Sequence, residues 1–155
     1  VILVTGTPGT GKTFIAKKLA KKYNYIYLDI NKVIVKFHLS EGYDKKIKSK
    51  LIDEKKLVNV LIKLIKIDPK VIIDGHMSHY VPARYVEACI VIKCDIKILK
   101  KRLQRRNYSK QKIRDNLDSE IFDIILNEAK SMKHKIYVID SSEKIRLPSK
   151  STLSL

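Results

Sequence analysis

Acidic residues are scarce in this chain. Sixteen Asp and Glu stand against 33 Lys and Arg over 155 residues, leaving a formal charge of +17. Two readings of that charge stay open. One is a lysine-coated, ion-rich surface of the kind common in proteins from hot environments, with which the Ile/Lys-heavy composition agrees. The other is a polyanionic partner, most simply RNA, although no dedicated RNA-binding module is recognisable. Cysteine is limited to Cys89 and Cys94. They read as members of one strand with an odd spacing, so they point to opposite faces and cannot bridge each other. Without a C-x-x-C there is no disulfide framework and no zinc site. Free, buried thiols fit a reducing interior, cytoplasmic or, for a eukaryotic source, nuclear. No run approaches the ~18 apolar residues of a membrane span; the longest apolar stretch, 57–67, is broken by Asn59, Lys63 and Lys66. No signal peptide is expected, because the first strand leads straight into a glycine loop.

Glycine is scarce too, and its placement is the most informative feature present. Of five glycines in the chain, Gly6, Gly9 and Gly11 fall within Gly6-Thr7-Pro8-Gly9-Thr10-Gly11-Lys12-Thr13. This is a complete G-x-x-x-x-G-K-[ST] loop. Residues 1–5 before it form a short apolar, β-branched run that reads as a buried strand. After it, Phe14, Ile15, Leu19 and Tyr23 recur on one helical stripe. In that context the loop's backbone N–H groups converge on phosphate oxygens at a helix N-terminus, where the dipole favours an anion. Lys12 can reach the β- and γ-phosphates, and the Thr13 hydroxyl can join a Mg²⁺ shell. The pattern predicts binding of a nucleoside triphosphate.

Periodicity along the rest of the chain alternates strand and helix. Residues 25–28 read as a strand, 30–39 as a helix ending near Gly42, and 41–51 as a polar, mobile loop. Asp53 caps a helix over 54–67, which Pro69 stops. Strands follow at 70–74 and 88–94. Asp95 caps a helix carrying Ile98, Leu99 and Leu103; Ser109 opens a long helix to about Met132; the last strand is 136–139. The segment 141–155 has no clear period and reads as a loose tail or a weak final helix. These elements predict one domain over 1–155: a three-layer α/β sandwich with a five-stranded parallel sheet and helices on both faces.

Two further clusters carry chemistry. Asp74 ends an apolar strand, where a carboxylate faces, through water, the metal that Thr13 would hold. His76, two residues on, lies at the same crevice and is a candidate to orient or activate a reactant. His38, His79 and His134 lack such an argument. Arg102 and Arg106 are i,i+4 on one basic helix, and their always-charged planar groups suit clamping of a transferring phosphoryl group. Arg105 faces elsewhere, and Lys100 and Lys101 read as solvated.

With these residues in view, the chain resembles the small nuclear-type adenylate kinase family of archaea and eukaryotes. The resemblance rests on the phosphate loop, Glu41-Gly42-Tyr43-Asp44 with Asp53, and Asp74-Gly75-His76 followed by Tyr80-Val81-Pro82. The run 102–109 through Asn116, Glu120, Ile121 and Phe122 completes it. It implies an adenylate-kinase-like fold with a mobile monophosphate arm near 29–52 and a short lid near 105–115. It also implies ATP contacts from Gly9, Gly11, Lys12, Thr13, Phe14 and Arg106, functional roles for Asp74 and His76, and Mg²⁺-dependent phosphoryl transfer from ATP to AMP. ATPase activity and transient binding to a small-subunit ribosomal protein during rRNA maturation are implied as well. Two departures stand out. Asn31-Lys32 occupies the place where other adenylate kinases put an arginine on AMP, and Asp74-Gly75-His76-Met77-Ser78-His79 replaces their Asp-Gly-x-Pro-Arg.

Overall fold

The computed structural model describes residues 1–44, 49–153 and 155. Its centre is a five-stranded sheet of β1 (Ile2–Thr5), β2 (Ile26–Asp29), β5 (Val71–Asp74), β6 (Ala88–Lys93) and β7 (Ile136–Asp140), in the order β2-β5-β1-β6-β7. Every pairing is parallel, as crossover helices require. Alternation along β1 builds two cores. Ile2 and Val4 face α1 (Lys12–Tyr23), joining Ile15, Leu19, Ile72 and Ile90. Leu3 faces the other side, where α2 (Ile30–Lys36), α3 (Glu54–Ile67) and α6 (Ile124–Ser131) add Ile30, Leu57, Leu61 and Ala129. With helices on both faces, the expected three layers are present.

Local chemistry sets the helix ends. The Asp53 carboxylate accepts from Lys56 N at 3.1 Å. Asp95 accepts from Lys97 N and Ile98 N at 2.9 and 3.1 Å to open α4 (Ile96–Arg105). Ser109 accepts from Lys112 N at 3.2 Å to open α5 (Lys110–Ile121). Each cap of this kind contributes about 1 kcal/mol.

Several expectations change. The long helix from Ser109 is two helices, because Asp123 adopts a left-handed φ of 53° between α5 and α6. That turn sends its carboxylate to Lys93 Nζ at 2.6 Å. The helix expected over 30–39 stops at Lys36, with His38 left-handed at φ 51°. In place of the loop over 41–51, β3 (Ser40–Asp44) pairs antiparallel with β4 (Ser49–Ile52); residues 45–48 lie outside the described residues. Phe14 leaves the α1 stripe and is 54% exposed, whereas Ile15, Leu19 and Tyr23 are buried. Of the two readings of the tail, the weak final helix is the one present. Ile145 and Leu147 pack on the α1-side core, and α7 (Lys150–Leu153) buries Leu153. Cys89 and Cys94 are both free and buried. Among the described residues, no helix is long and apolar enough to cross a membrane.

Candidate nucleotide site

The glycine loop joins β1 to α1 at the carboxyl edge of the sheet. Gly6 has φ 143°, and a Cβ there would meet the Ile92 carbonyl oxygen at 2.5 Å. Gly9, at φ 96°, leaves no room for a Cβ against Leu99 and Leu103. A side chain at Gly6 would push the loop off β6, and one at Gly9 would crowd two leucine side chains of α4 from a strained left-handed backbone. Gly11 starts α1 in a left-handed conformation, with no side-chain cap and no acidic residue in the first turn. The amide groups of that turn therefore have neither a helical nor a side-chain acceptor, a configuration suited to an incoming anion.

Above the loop lies a cleft of about 900 Å³, at the upper end for a small-molecule site. Gly9, Gly11, Lys12, Thr13 and Phe14 form its floor. Arg106, Tyr108 and Lys112 also line it, as do Asn31, Ile52 and Glu54. Asp74 and His76 lie on its wall. The loop, the β5 end and residues from the segments 31–54 and 106–116 thus line a single space.

Lys12 Nζ donates to the Thr7 carbonyl at 3.0 Å. Its ammonium is open to the cleft yet crowded by protein, and burial lowers its pKa to about 8; Asp74 and Glu120 pull it up, and Arg106 pulls it down. A bound phosphate stabilises only the protonated amine. MgATP affinity is therefore expected to hold steady near pH 7 and to fall as pH rises through about 8, approaching tenfold per pH unit beyond it, in proportion to the protonated fraction. Binding above that pH takes up a proton. Calorimetry at pH 8.5 in two buffers of different ionisation heat measures the uptake, and identical heats would refute it.

Asp74 is buried at the end of β5. Its Oδ2 accepts from Thr13 Oγ1 at 2.6 Å and from Tyr27 Oη at 2.8 Å. Its Oδ1 is buried and has no partner among the described residues. A carboxylate oxygen left bare beside a hydroxyl is a fitting oxygen donor set for Mg²⁺, a hard cation that keeps several waters. Among the described residues, no cluster of three His, Cys, Asp or Glu could cage a metal. Phosphate oxygens and water would therefore complete the shell.

The His76 ring is solvent-accessible but stands against the cleft wall. Desolvation there, then Lys12, His79 and Lys112, lower its pKa to about 4, so the imidazole is neutral at pH 7. Arg102 sits behind the loop. Its Nη1 donates to Thr10 O at 3.3 Å and to Ser141 Oγ at 3.1 Å, which braces the loop from outside the main cleft. Arg102, Arg105, Arg106 and Phe14 together line a side recess of about 470 Å³. Arg105 therefore shares a recess with the two arginines from which its helical position should have separated it. Lys100 and Lys101 are solvated, as expected.

Three contributors were not legible beforehand. Tyr27 reaches Asp74 from the neighbouring strand. Glu120 is 4% exposed and accepts from Thr7 Oγ1 at 2.7 Å. His79, buried, links Thr5 Oγ1 at 3.0 Å to Glu128 Oε2 at 3.1 Å. Burial first, then His134, lowers its pKa to about 4. A neutral ring must donate from Nε2 to the carboxylate, so Nδ1 accepts from Thr5. Of these, only Glu120 carried a signal, its place in the run that marks the resemblance.

A family model described as an AAA domain matches residues 2–123. "Adenylate kinase isoenzyme 6 homolog" of Dictyostelium discoideum is 38% identical over 138 residues, covering 88% of this chain and 78% of that protein. The chain belongs to the adenylate kinase isoenzyme 6 family. Its Drosophila melanogaster homologue is 34% identical over 129 residues, with 83% of this chain and 73% of that protein covered. A relative from Methanocaldococcus jannaschii is 35% identical over 143 residues, covering 92% and 77%. Among solved structures, a shikimate kinase from Bacteroides thetaiotaomicron superposes with a TM-score of 0.56 at 17% identity, over 99% of this chain and 90% of that one. The Bacillus subtilis YorR protein, in complex with phosphorylated GDP, gives 0.58 at 19%, over 90% and 85%. These two share the fold.

Proposed function

We propose that the chain catalyses reversible, Mg²⁺-dependent transfer of the γ-phosphoryl group from ATP to AMP, yielding two ADP, with slower ATP hydrolysis. The observation that carries this reading is the continuity of the cleft. It runs from the phosphate loop past Lys12 to Asn31, Ile52 and Glu54, leaving room for a second nucleotide opposite the first. Gly9, Gly11, Lys12, Thr13 and Phe14 would hold ATP, with Arg102 bracing the loop and Arg106 at the lid. Thr13 and Asp74 would hold the ion, which when bound neutralises charge on the phosphates. Residues 29–52 would act as the monophosphate arm and 105–115 as the lid of one catalytic domain. AMP brings its own anionic nucleophile, so positioning and charge suffice. The test is to incubate the protein with MgATP, with and without AMP, and to quantify AMP, ADP and inorganic phosphate together. Two ADP gained per ATP, with little free phosphate, supports the kinase. Free phosphate rising equally with or without AMP refutes it.

A second reading is an ATPase cycle that releases a small-subunit ribosomal protein or rRNA, with AMP phosphorylation incidental. The place of the exposed His76 ring on the cleft wall favours it, because an attacking water needs an acceptor to orient it. His76→Ala is expected to depress ATP hydrolysis by about tenfold or more and AMP phosphorylation by much less. Equal losses in both rates would remove His76 from the water step. The +17 charge supports the RNA partner. A salt titration of single-stranded RNA binding should give a log–log slope of about −0.7 per phosphate contact; a flat response returns the charge to surface chemistry.

A further inference from the structure

Glu120 is a buried carboxylate with its hydrogen bonds distributed on both oxygens. Oε2 accepts from Thr7 Oγ1 at 2.7 Å, and Oε1 from Cys94 N at 2.9 Å and Lys93 Nζ at 3.0 Å. Lys93 also donates to the Glu120 carbonyl at 2.8 Å and to Asp123 at 2.6 Å. Burial alone would lower the Lys93 pKa, but its bonds to Asp123 and Glu120 outweigh that and raise it. Both oxygens of the buried carboxylate are thus bonded, the condition under which a buried charge is tolerated.

On the other side of Thr7, its carbonyl is a hub within the phosphate loop. It accepts from Thr10 N at 3.2 Å, Thr10 Oγ1 at 2.8 Å and Lys12 Nζ at 3.0 Å. When Lys12 turns to a phosphate it leaves that carbonyl, and the loop loses one internal tie. The Thr7–Glu120 bond does not depend on Lys12. It also connects the loop to α5, the helix that brings Lys112, Asn116 and Ser119 to the cleft.

We propose that Glu120 is a positioning residue for the phosphate loop: acting through the Thr7 hydroxyl, it fixes the loop relative to α5 so that the loop keeps its nucleotide-binding shape when Lys12 moves to the phosphates. The inference rests on the nucleotide reading above. Glu120 touches no nucleotide in this scheme; its effect passes through Thr7.

The experiment is a double-mutant cycle on MgATP affinity, with Glu120→Ala, Thr7→Val and the pair, and with Thr7→Ser as the conservative control. Each disruptive single variant is expected to bind MgATP about tenfold more weakly, and the double no more than about twofold worse than the weaker single. Thr7→Ser, which keeps the hydroxyl, should stay within about twofold of wild type. Losses that multiply in the double variant would overturn the proposal. If Glu120→Ala does not fold, the Thr7 pair decides: Val equal to wild type, or Ser as impaired as Val, overturns it. Wild-type protein that binds no MgATP would instead refute the nucleotide reading itself.

Discussion

Lys12→Met is expected to lower phosphoryl transfer from MgATP by about a hundred- to a thousand-fold while leaving the melting temperature unchanged or higher. The two effects have separate causes. Charge spread over the transferring oxygens is stabilised by fixed cations aimed into a water-poor cleft, and an ammonium on the loop is the one such group that the helix dipole cannot replace. In the free protein the same ammonium is a burden. Burial depresses its pKa more than Asp74 restores it, Arg106 opposes it, and among the described residues its one hydrogen bond is to the Thr7 carbonyl. Methionine keeps the methylene packing and removes a partly desolvated charge, so stability does not suffer. Arginine should not rescue activity, since a planar fork cannot replace a compact ammonium at the end of the loop. Turnover under saturating MgATP and a thermal melt on the same preparations check both halves. A loss of activity below about tenfold would remove Lys12 from the transition state.

What was legible in the sequence was what is local or periodic. The phosphate loop, its strand and its helix are contiguous, so eight residues and their flanks define them together. The caps Asp53, Asp95 and Ser109 act on amides two or three residues away. Asp74 was legible because a carboxylate ending an apolar strand has few other uses next to such a loop. What failed to show involved long separations or compensated exceptions. Thr7 and Glu120 are 113 residues apart, and nothing in the periodicity of α5 distinguishes an anchoring carboxylate from a solvated one. Tyr27 reaches Asp74 only because β2 pairs β5, bringing Leu28 opposite Ile73. The break at Asp123 escaped notice because the apolar period runs on through it. A left-handed aspartate is strained, and its ion pair with Lys93 is a tertiary compensation. Phe14 fits the helical stripe by spacing, but its place in the first turn turns it to the cleft. The tail residues Ile145, Leu147 and Leu153 cover the α1 side without regular structure over most of their length, so no periodicity marked them.

Asp74→Asn should abolish most Mg²⁺-dependent turnover, by about a hundred-fold or more, without lowering stability. The carboxylate has two distinct oxygens. Oδ2 is occupied by the hydroxyls of Thr13 and Tyr27, at 2.6 and 2.8 Å, whereas Oδ1 is buried and bare. Asparagine can present its carbonyl at the Oδ2 position and keep both hydroxyl donors. It places an NH₂ where Oδ1 was, a group that repels a cation and its waters. The fold therefore retains its local bonds and sheds a buried, half-satisfied charge, while the cation loses its anionic anchor. The Mg²⁺ concentration needed for half-maximal rate should rise, and excess Mg²⁺ should recover only part of the activity. Asp74→Ala separates the two roles in the opposite direction. It takes the acceptor from the exposed Thr13 hydroxyl and the half-buried Tyr27 hydroxyl; Thr13 can turn to water, but a partly buried donor left unpaired costs about 1 kcal/mol, so its melting temperature should fall. Both variants remove the charge that does most to support the Lys12 ammonium against burial and Arg106, so in both the alkaline fall in MgATP affinity should begin at lower pH. The decisive comparison is Asn against Ala. If both lose activity but only Ala loses stability, Asp74 serves the cation through Oδ1 and the fold through Oδ2. If Asn retains wild-type rates and the wild-type Mg²⁺ requirement, Asp74 is a structural acceptor alone, and the metal must be held by Thr13 and the phosphates.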